Sequence, residues 1–133
     1  MMNGTPGIAS LYAIKPGVEV IRDVGIEAIR EKSKQMTVLI IALAQEEGYT
    51  IRTPLDPEQR GGMVVVEPPH AYEISAELRA RNYLIDYRPK AGIRIAPHFY
   101  NTEEEVRAVM AQIKEILASG AWQKHASGRA FVT

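Results

Sequence analysis

The sequence predicts an α+β fold: a two-layer sandwich of a mostly antiparallel sheet with helices packed on one face. Three observations carry this reading. A long amphipathic segment and a capped, striped last segment read as helices. A β-branched run between them reads as a central strand. The order of elements, α, α, β, β, α, β, β, α, then favours antiparallel neighbours under a helical layer.

The first segment is helical from about Ile8, breaks at Pro16-Gly17, and resumes through Val18, Val20 and Ile21 to Gly25. From Ile26 the apolar positions Ile26, Ile29, Met36, Ile40 and Leu43 recur at helical spacing, with Glu27, Arg30, Glu31 and Lys34 between them. This predicts one long helix over 26–47, whose all-apolar half from Met36 to Ala44 needs cover on several sides. Gly48 is its expected stop.

Tyr49 to Arg52 reads as a short strand, and Thr53-Pro54-Leu55-Asp56-Pro57 as an ordered loop stiffened by its prolines. Gly61-Gly62 release the strand Met63-Val64-Val65-Val66, which Pro68-Pro69 end. His70 to Arg81 is a modest helix with Ala71, Ile74 and Leu78 on one face and Glu73, Glu77 and Arg81 on the polar side. Strands at Tyr83–Arg88 and Ile93–Ala96 flank a hairpin-length loop, Pro89-Lys90-Ala91-Gly92. Thr102-x-x-Glu105 is a capping box opening a helix over 103–118, striped by Val106, Val109, Met110, Ile113, Ile116 and Leu117. The tail 119–133, around Trp122 and Phe131, lacks periodicity and is expected to be loose or to dock.

These elements fit one domain, 1–133, with its core over about 8–118: 133 residues at 46% hydrophobic and 24% charged are enough to bury a core. Sixteen basic and sixteen acidic side chains cancel, so no bulk field draws nucleic acid or an anionic membrane. The chain has no cysteine, hence no disulfide frame, thiolate metal site or thiol nucleophile, which fits a reducing cytoplasm. The run Met36–Ala44 is far short of the roughly 20 residues that span a bilayer. The first seven residues carry neither a basic region nor an apolar stretch, so a cytoplasmic location is expected.

Catalytic constellations are few. No glycine-rich phosphate loop, no metal-binding His-x-x-x-His helix and no nucleophile elbow occurs. His70, His98 and His125 are far apart, so no metal site is expected. The acidic run Glu103-Glu104-Glu105 is explained by the helix dipole. One pattern stands out, the hairpin around Asp86-Tyr87-Arg88-Pro89 and Gly92-Ile93-Arg94-Ile95-Ala96. If Ile93 and Ile95 face the core, alternation sends Arg94 to the open face of the sheet. A guanidinium on a rigid strand binds a carboxylate through two parallel hydrogen bonds; the bland alternative is an arginine solvated or paired with Asp86.

Thr5-Pro6-Gly7-Ile8, the loop Asp56-Pro57-Glu58-Gln59-Arg60-Gly61-Gly62 and the run from Gly92 to Glu105 together resemble the C-terminal, small domain of class V aminotransferase-fold, pyridoxal-phosphate-dependent enzymes. The chain is most similar to the kynureninase branch, over roughly residues 3–118. The resemblance implies that Arg94 is the substrate-binding arginine that holds the α-carboxylate. It implies that Thr5 reaches the cofactor phosphate of a neighbouring subunit, with Asn3 and Gly4 shaping its loop. Arg60 and its glycines are expected to be structural, and His98, Tyr100 and Asn101 either to pack the entry to the last helix or to contact the substrate.

In such enzymes the cofactor, pyridoxal 5'-phosphate, sits on a lysine of the large domain, opposite an aspartate. No Ser-x-His-Lys-like segment occurs here, and none of Lys15, Lys32, Lys34, Lys90, Lys114 and Lys124 has a matching context. The large domain is therefore expected to be absent, and the chain alone inactive with no catalytic residue of its own. The implied parent acts on an amino-acid substrate, by hydrolytic cleavage of a kynurenine-type compound or by transamination, desulfuration or racemisation. The implied partners are a homodimer mate or a separate large-domain chain. The alternative is a free-standing binding or interaction module that kept the fold and lost the reaction.

Overall fold

The structure is a computed structural model that describes residues 7–126. In chain order the elements are α1 (Ile8–Val24), α2 (Ile26–Glu46), β1 (Thr50–Ile51), β2 (Val64–Glu67), α3 (Ala71–Ala80), β3 (Asp86–Arg88), β4 (Gly92–Ile95) and α4 (Glu103–Ser119). Two 3-10 turns, Pro57–Gln59 and Ala121–His125, complete them. The strands form one sheet in the order β1-β2-β4-β3, and every neighbouring pair is antiparallel.

Val64 and Val66 of β2 and Ile93 and Ile95 of β4 face the helices α2, α3 and α4. Against them pack Met36, Ile40 and Ala44 of α2, Ile74 and Leu78 of α3, and Met110, Ile113 and Ile116 of α4. Fully burying such a side chain contributes about 1.5–3 kcal/mol, so this one cluster dominates stability. The predicted α+β sandwich is therefore the fold observed.

Local chemistry sets the boundaries. After α2, Gly48 takes φ +69°, its N–H bonds Gln45 O at 3.0 Å, and Tyr49 N–H bonds Ala44 O at 2.9 Å. This pair of bonds is a Schellman motif, which answers two of the helix's orphan carbonyls. At α4 the Thr102 hydroxyl accepts from Glu105 N and the Glu105 carboxylate accepts from Thr102 N at 2.8 Å, the capping box read from sequence.

Several expectations need correction. α1 is not broken at Pro16-Gly17; it runs continuously with Pro16 inside. Proline removes one backbone donor, but no residue of α1 is buried, so water can take the carbonyl that is freed. For the same reason α1 lies outside the helical layer. Cover of the apolar half of α2 is incomplete, because Val38 is 48% exposed. β3 is shorter than the predicted strand: Asn82 adopts φ +66° and only Asp86 to Arg88 pair. Glu73 and Glu77 are not on a solvated face, being 7% and 3% exposed.

The beginning of the tail docks. Trp122 stacks on His70 with ring centroids 3.5 Å apart, and Lys124 and His125 reach Glu77. Among the described residues, no helix is long and apolar enough to cross a membrane.

Candidate functional site

The β3–β4 hairpin builds the site. Its turn places Lys90 at φ +63° and Gly92 at φ +122°, and Ala91 N–H closes it on Arg88 O at 3.1 Å. A side chain at Gly92 would put its Cβ 2.5 Å from the Val66 carbonyl oxygen, so glycine is what lets β4 lie against β2 there. From that anchor the pleat is fixed. Ile93 and Ile95 point into the core, and Arg94 points to the opposite, uncovered face.

Arg94 lies beside Val65 of β2 and Asp86 of β3 in the register. Its Nη1 donates to Asp86 Oδ2 at 3.0 Å, and its Nε lies 3.0 Å from Met63 Sδ. Arg88 Nε lies 3.1 Å from the same Asp86 oxygen, as an ion pair. Among the described residues Arg94 Nη2 has no hydrogen-bond partner, and the side chain is 33% exposed. The pairing with Asp86 weighed from sequence is thus present, and it uses one edge of the guanidinium only.

The loop before β2 sets where Met63 stands. Arg60, 7% exposed, runs beneath that loop: its Nε donates to Thr37 Oγ1 at 3.1 Å and its Nη1 to the carbonyls of Pro54, at 3.3 Å, and Leu55. Arg30 adds bonds to Pro57 O at 2.6 Å and Arg60 O at 3.0 Å. Thr53 Oγ1 accepts from Val65 N at 2.8 Å and ties the loop to the strand. Two arginines therefore serve loop carbonyls that lack a strand partner. Gly62 fits under this knot because a Cβ there would lie 2.9 Å from Ser33 Oγ.

The other sequence candidates fall elsewhere. Thr5 lies outside the described residues, as do Asn3 and Gly4. His98 stacks on Tyr100 with ring centroids 4.6 Å apart, and Asn101 Oδ1 accepts from His98 N at 2.8 Å. Asn101 Nδ2 also donates to Glu105 at 3.1 Å, so this trio closes the entry to α4. Backbone donation from Thr102, then the bond from Asn101, holds the Glu105 carboxyl below its usual range. Of the lysines, Lys34, Lys114 and Lys124 are in ion pairs with Glu58, Glu47 and Glu77, and Lys90 occupies the hairpin turn. Among the described residues no group of three or more His, Asp and Glu side chains gathers as a metal site requires.

Sequence reasoning missed the cluster around Glu77. Its carboxylate meets Arg81 Nε at 2.9 Å, Lys124 Nζ at 2.8 Å and His125 Nε2 at 2.8 Å. Burial pushes this carboxyl upward, but the bonds from Lys124, His125 and Arg81 outweigh burial and hold it at about 2. A signal existed in the pairing of two helix-face acids with a basic Lys124-His125 step, but only the fold brings them together. A cavity of about 770 Å³ opens beside this cluster, between Thr50, Glu67, Tyr72, Tyr87, His70 and Trp122. Arg94 is not part of its wall.

Comparison with known proteins places this architecture. Residues 29–113 match the family model described as the kynureninase C-terminal domain. Kynureninases of Bacillus thuringiensis subsp. konkukian and Bacillus anthracis are each 34% identical over 134 aligned positions, covering 97% of this chain. The kynureninase of Geobacillus thermodenitrificans is 33% identical over the same share. The chain spans about 31% of the length of these relatives.

Among solved structures, the apo cysteine desulfurase of Thermococcus onnurineus NA1 superposes with a TM-score of 0.80 at 18% identity, over 89% of this chain and 33% of that one. A NifS-like protein superposes at 0.73 with 20% identity, over 88% and 35%. At these identities the likeness concerns the fold alone.

Proposed function

The chain belongs to the kynureninase C-terminal domain family, of the class V pyridoxal-phosphate-dependent fold. From that premise we propose that it acts as the small domain of such an enzyme and supplies Arg94 to hold the α-carboxylate of an amino-acid substrate. The observation that carries this is the position of Arg94. It stands on a strand pinned by Gly92, on the uncovered face, with Nη2 unengaged among the described residues. A rigid strand and a planar donor fork are what two-point carboxylate recognition needs.

The cofactor does not fit the described residues on their own. The lysines that could carry it are committed to Glu58, Glu47 and Glu77 or sit in turns and on helices, and none adjoins an aspartate inside a cavity. We therefore place the Schiff-base lysine and the cofactor cradle in the two-thirds of the relatives' length that this chain does not span. Pyridoxal phosphate would supply an electron sink there; this chain's part is to bind and orient the substrate. Thr5 is assigned to the cofactor phosphate of a neighbouring subunit.

The outer surface of α1 supports the same reading. Leu11, Ile14, Val18 and Ile21 recur at helical spacing and are 41–58% exposed. An isolated helix of this length is marginal in water, so α1 belongs against a further surface, that of the remaining enzyme or a homodimer mate. The described fold itself has a complete core, and the chain alone is expected to fold without turning over substrate.

A chimera tests the proposal: residues 1–133 replace the matching C-terminal third of the Bacillus anthracis kynureninase in one polypeptide. Kynurenine cleavage by the chimera, and none by the chain with pyridoxal phosphate alone, is the expected result. Turnover by the chain alone would overturn it. A folded, cofactor-loaded chimera without activity would favour the free-standing binding module instead.

A further inference from the structure

A guanidinium offers a carboxylate two docking edges. One is the side edge formed by Nε–H with an N–H of Nη2, and the other is the end edge formed by the two Nη groups. At Arg94 both are half closed. Met63 Sδ lies 3.0 Å from Nε on the side edge, and Asp86 Oδ2 takes Nη1 at 3.0 Å on the end edge. A two-point ligand must therefore displace one of these partners.

They are not equal. Asp86 is a charged acceptor on a paired strand, and its Oδ2 is also held by Arg88 at 3.1 Å. Met63 offers a thioether, a weak acceptor on a chain with three rotatable bonds. It is half-buried and follows two exposed glycines, so the backbone before it can adjust. The Arg30–Arg60 knot holds the loop behind that hinge and leaves the Met63 side chain outside it.

We propose that Met63 gates Arg94: its thioether caps Nε in the free chain and swings away when a small carboxylate docks on the Nε–Nη2 edge. Asp86 stays on Nη1 as a positioning residue that fixes the plane of the guanidinium. This inference rests on the reading of Arg94 as a carboxylate-binding residue and adds which edge is used and what guards it.

The test is a titration of the full chain with L-alanine, followed by NMR at the Arg94 Nε–Hε signal and the Met63 methyl. In the unaltered protein both signals move together with one dissociation constant. Met63→Leu keeps the volume but removes the acceptor, and binds L-alanine about threefold tighter, the worth of one weak hydrogen bond. Asp86→Ala frees the end edge, and there the Met63 methyl moves less on binding.

Movement of Arg94 with Met63 still, and unchanged affinity in Met63→Leu, would overturn the gate while leaving Arg94 as the clamp. No response of Arg94 in any of the three proteins would remove the clamp and the gate together.

Discussion

Glu77 of α3 and His125 of the last 3-10 turn, 48 residues apart, meet at 2.8 Å, with Lys124 on the same carboxylate oxygen. This contact, with the Trp122–His70 stack, fastens the end of the described chain to α3.

Stability should therefore depend on pH in the acid range. The folded carboxyl of Glu77 is held at about 2 against an ordinary value of 4.5. A depressed acid contributes its full stabilisation above 4.5 and loses it as pH falls from 4.5 through about 2. Urea unfolding between pH 7 and pH 2.5 is expected to show that loss, and Glu77→Gln to show a flatter dependence. Glu77→Gln should also cost about 2 kcal/mol at neutral pH, below the figure for a fully buried pair because Lys124 stays solvated. A pH dependence identical in the two proteins would contradict a stabilising role for the Glu77 contacts with Lys124, His125 and Arg81.

Gly92→Ala should be the most damaging single methyl in the hairpin. The new Cβ meets a backbone oxygen at 2.5 Å in a conformation with φ +122°. Neither strand can yield without losing ladder bonds, so a loss of about 3 kcal/mol is expected in denaturant unfolding. Gly61→Ala, where no atom lies within 4 Å of the added Cβ, is the matched control and should change little.

Thr102→Ala removes one half of the capping box and should lower stability by about 1 kcal/mol. Thr102→Ser keeps the oxygen and should be close to neutral. Thermal unfolding followed by circular dichroism distinguishes the two.

Much of this was legible in the residues. The capping box, the stripe of α4, the Gly48 stop and the facing of Arg94 all follow from spacing over a few residues, and local geometry realises them directly. What was hidden depends on partners distant in the chain. Glu73 and Glu77 look like a solvated face until α3 is covered and Lys124 arrives. Pro16 reads as a breaker, and only the exposure of α1 explains its tolerance. The contact of Met63 with Arg94 carried no sequence signal, because it comes from the place of Met63 just before β2 and from the loop that Arg60 holds.

The central claim is that Arg94 holds a substrate carboxylate, and kinetics of the kynureninase chimera carrying Arg94→Lys and Arg94→Ala test it most directly. Lysine cannot copy the two parallel bonds. KM should rise about 30-fold or more for both variants, as loss of a charge-assisted contact of roughly 2 kcal/mol or more requires. Lysine should recover little of that loss, and the melting temperature should stay within a few degrees. An unchanged KM in a folded, cofactor-loaded chimera with Arg94→Ala would contradict the assignment.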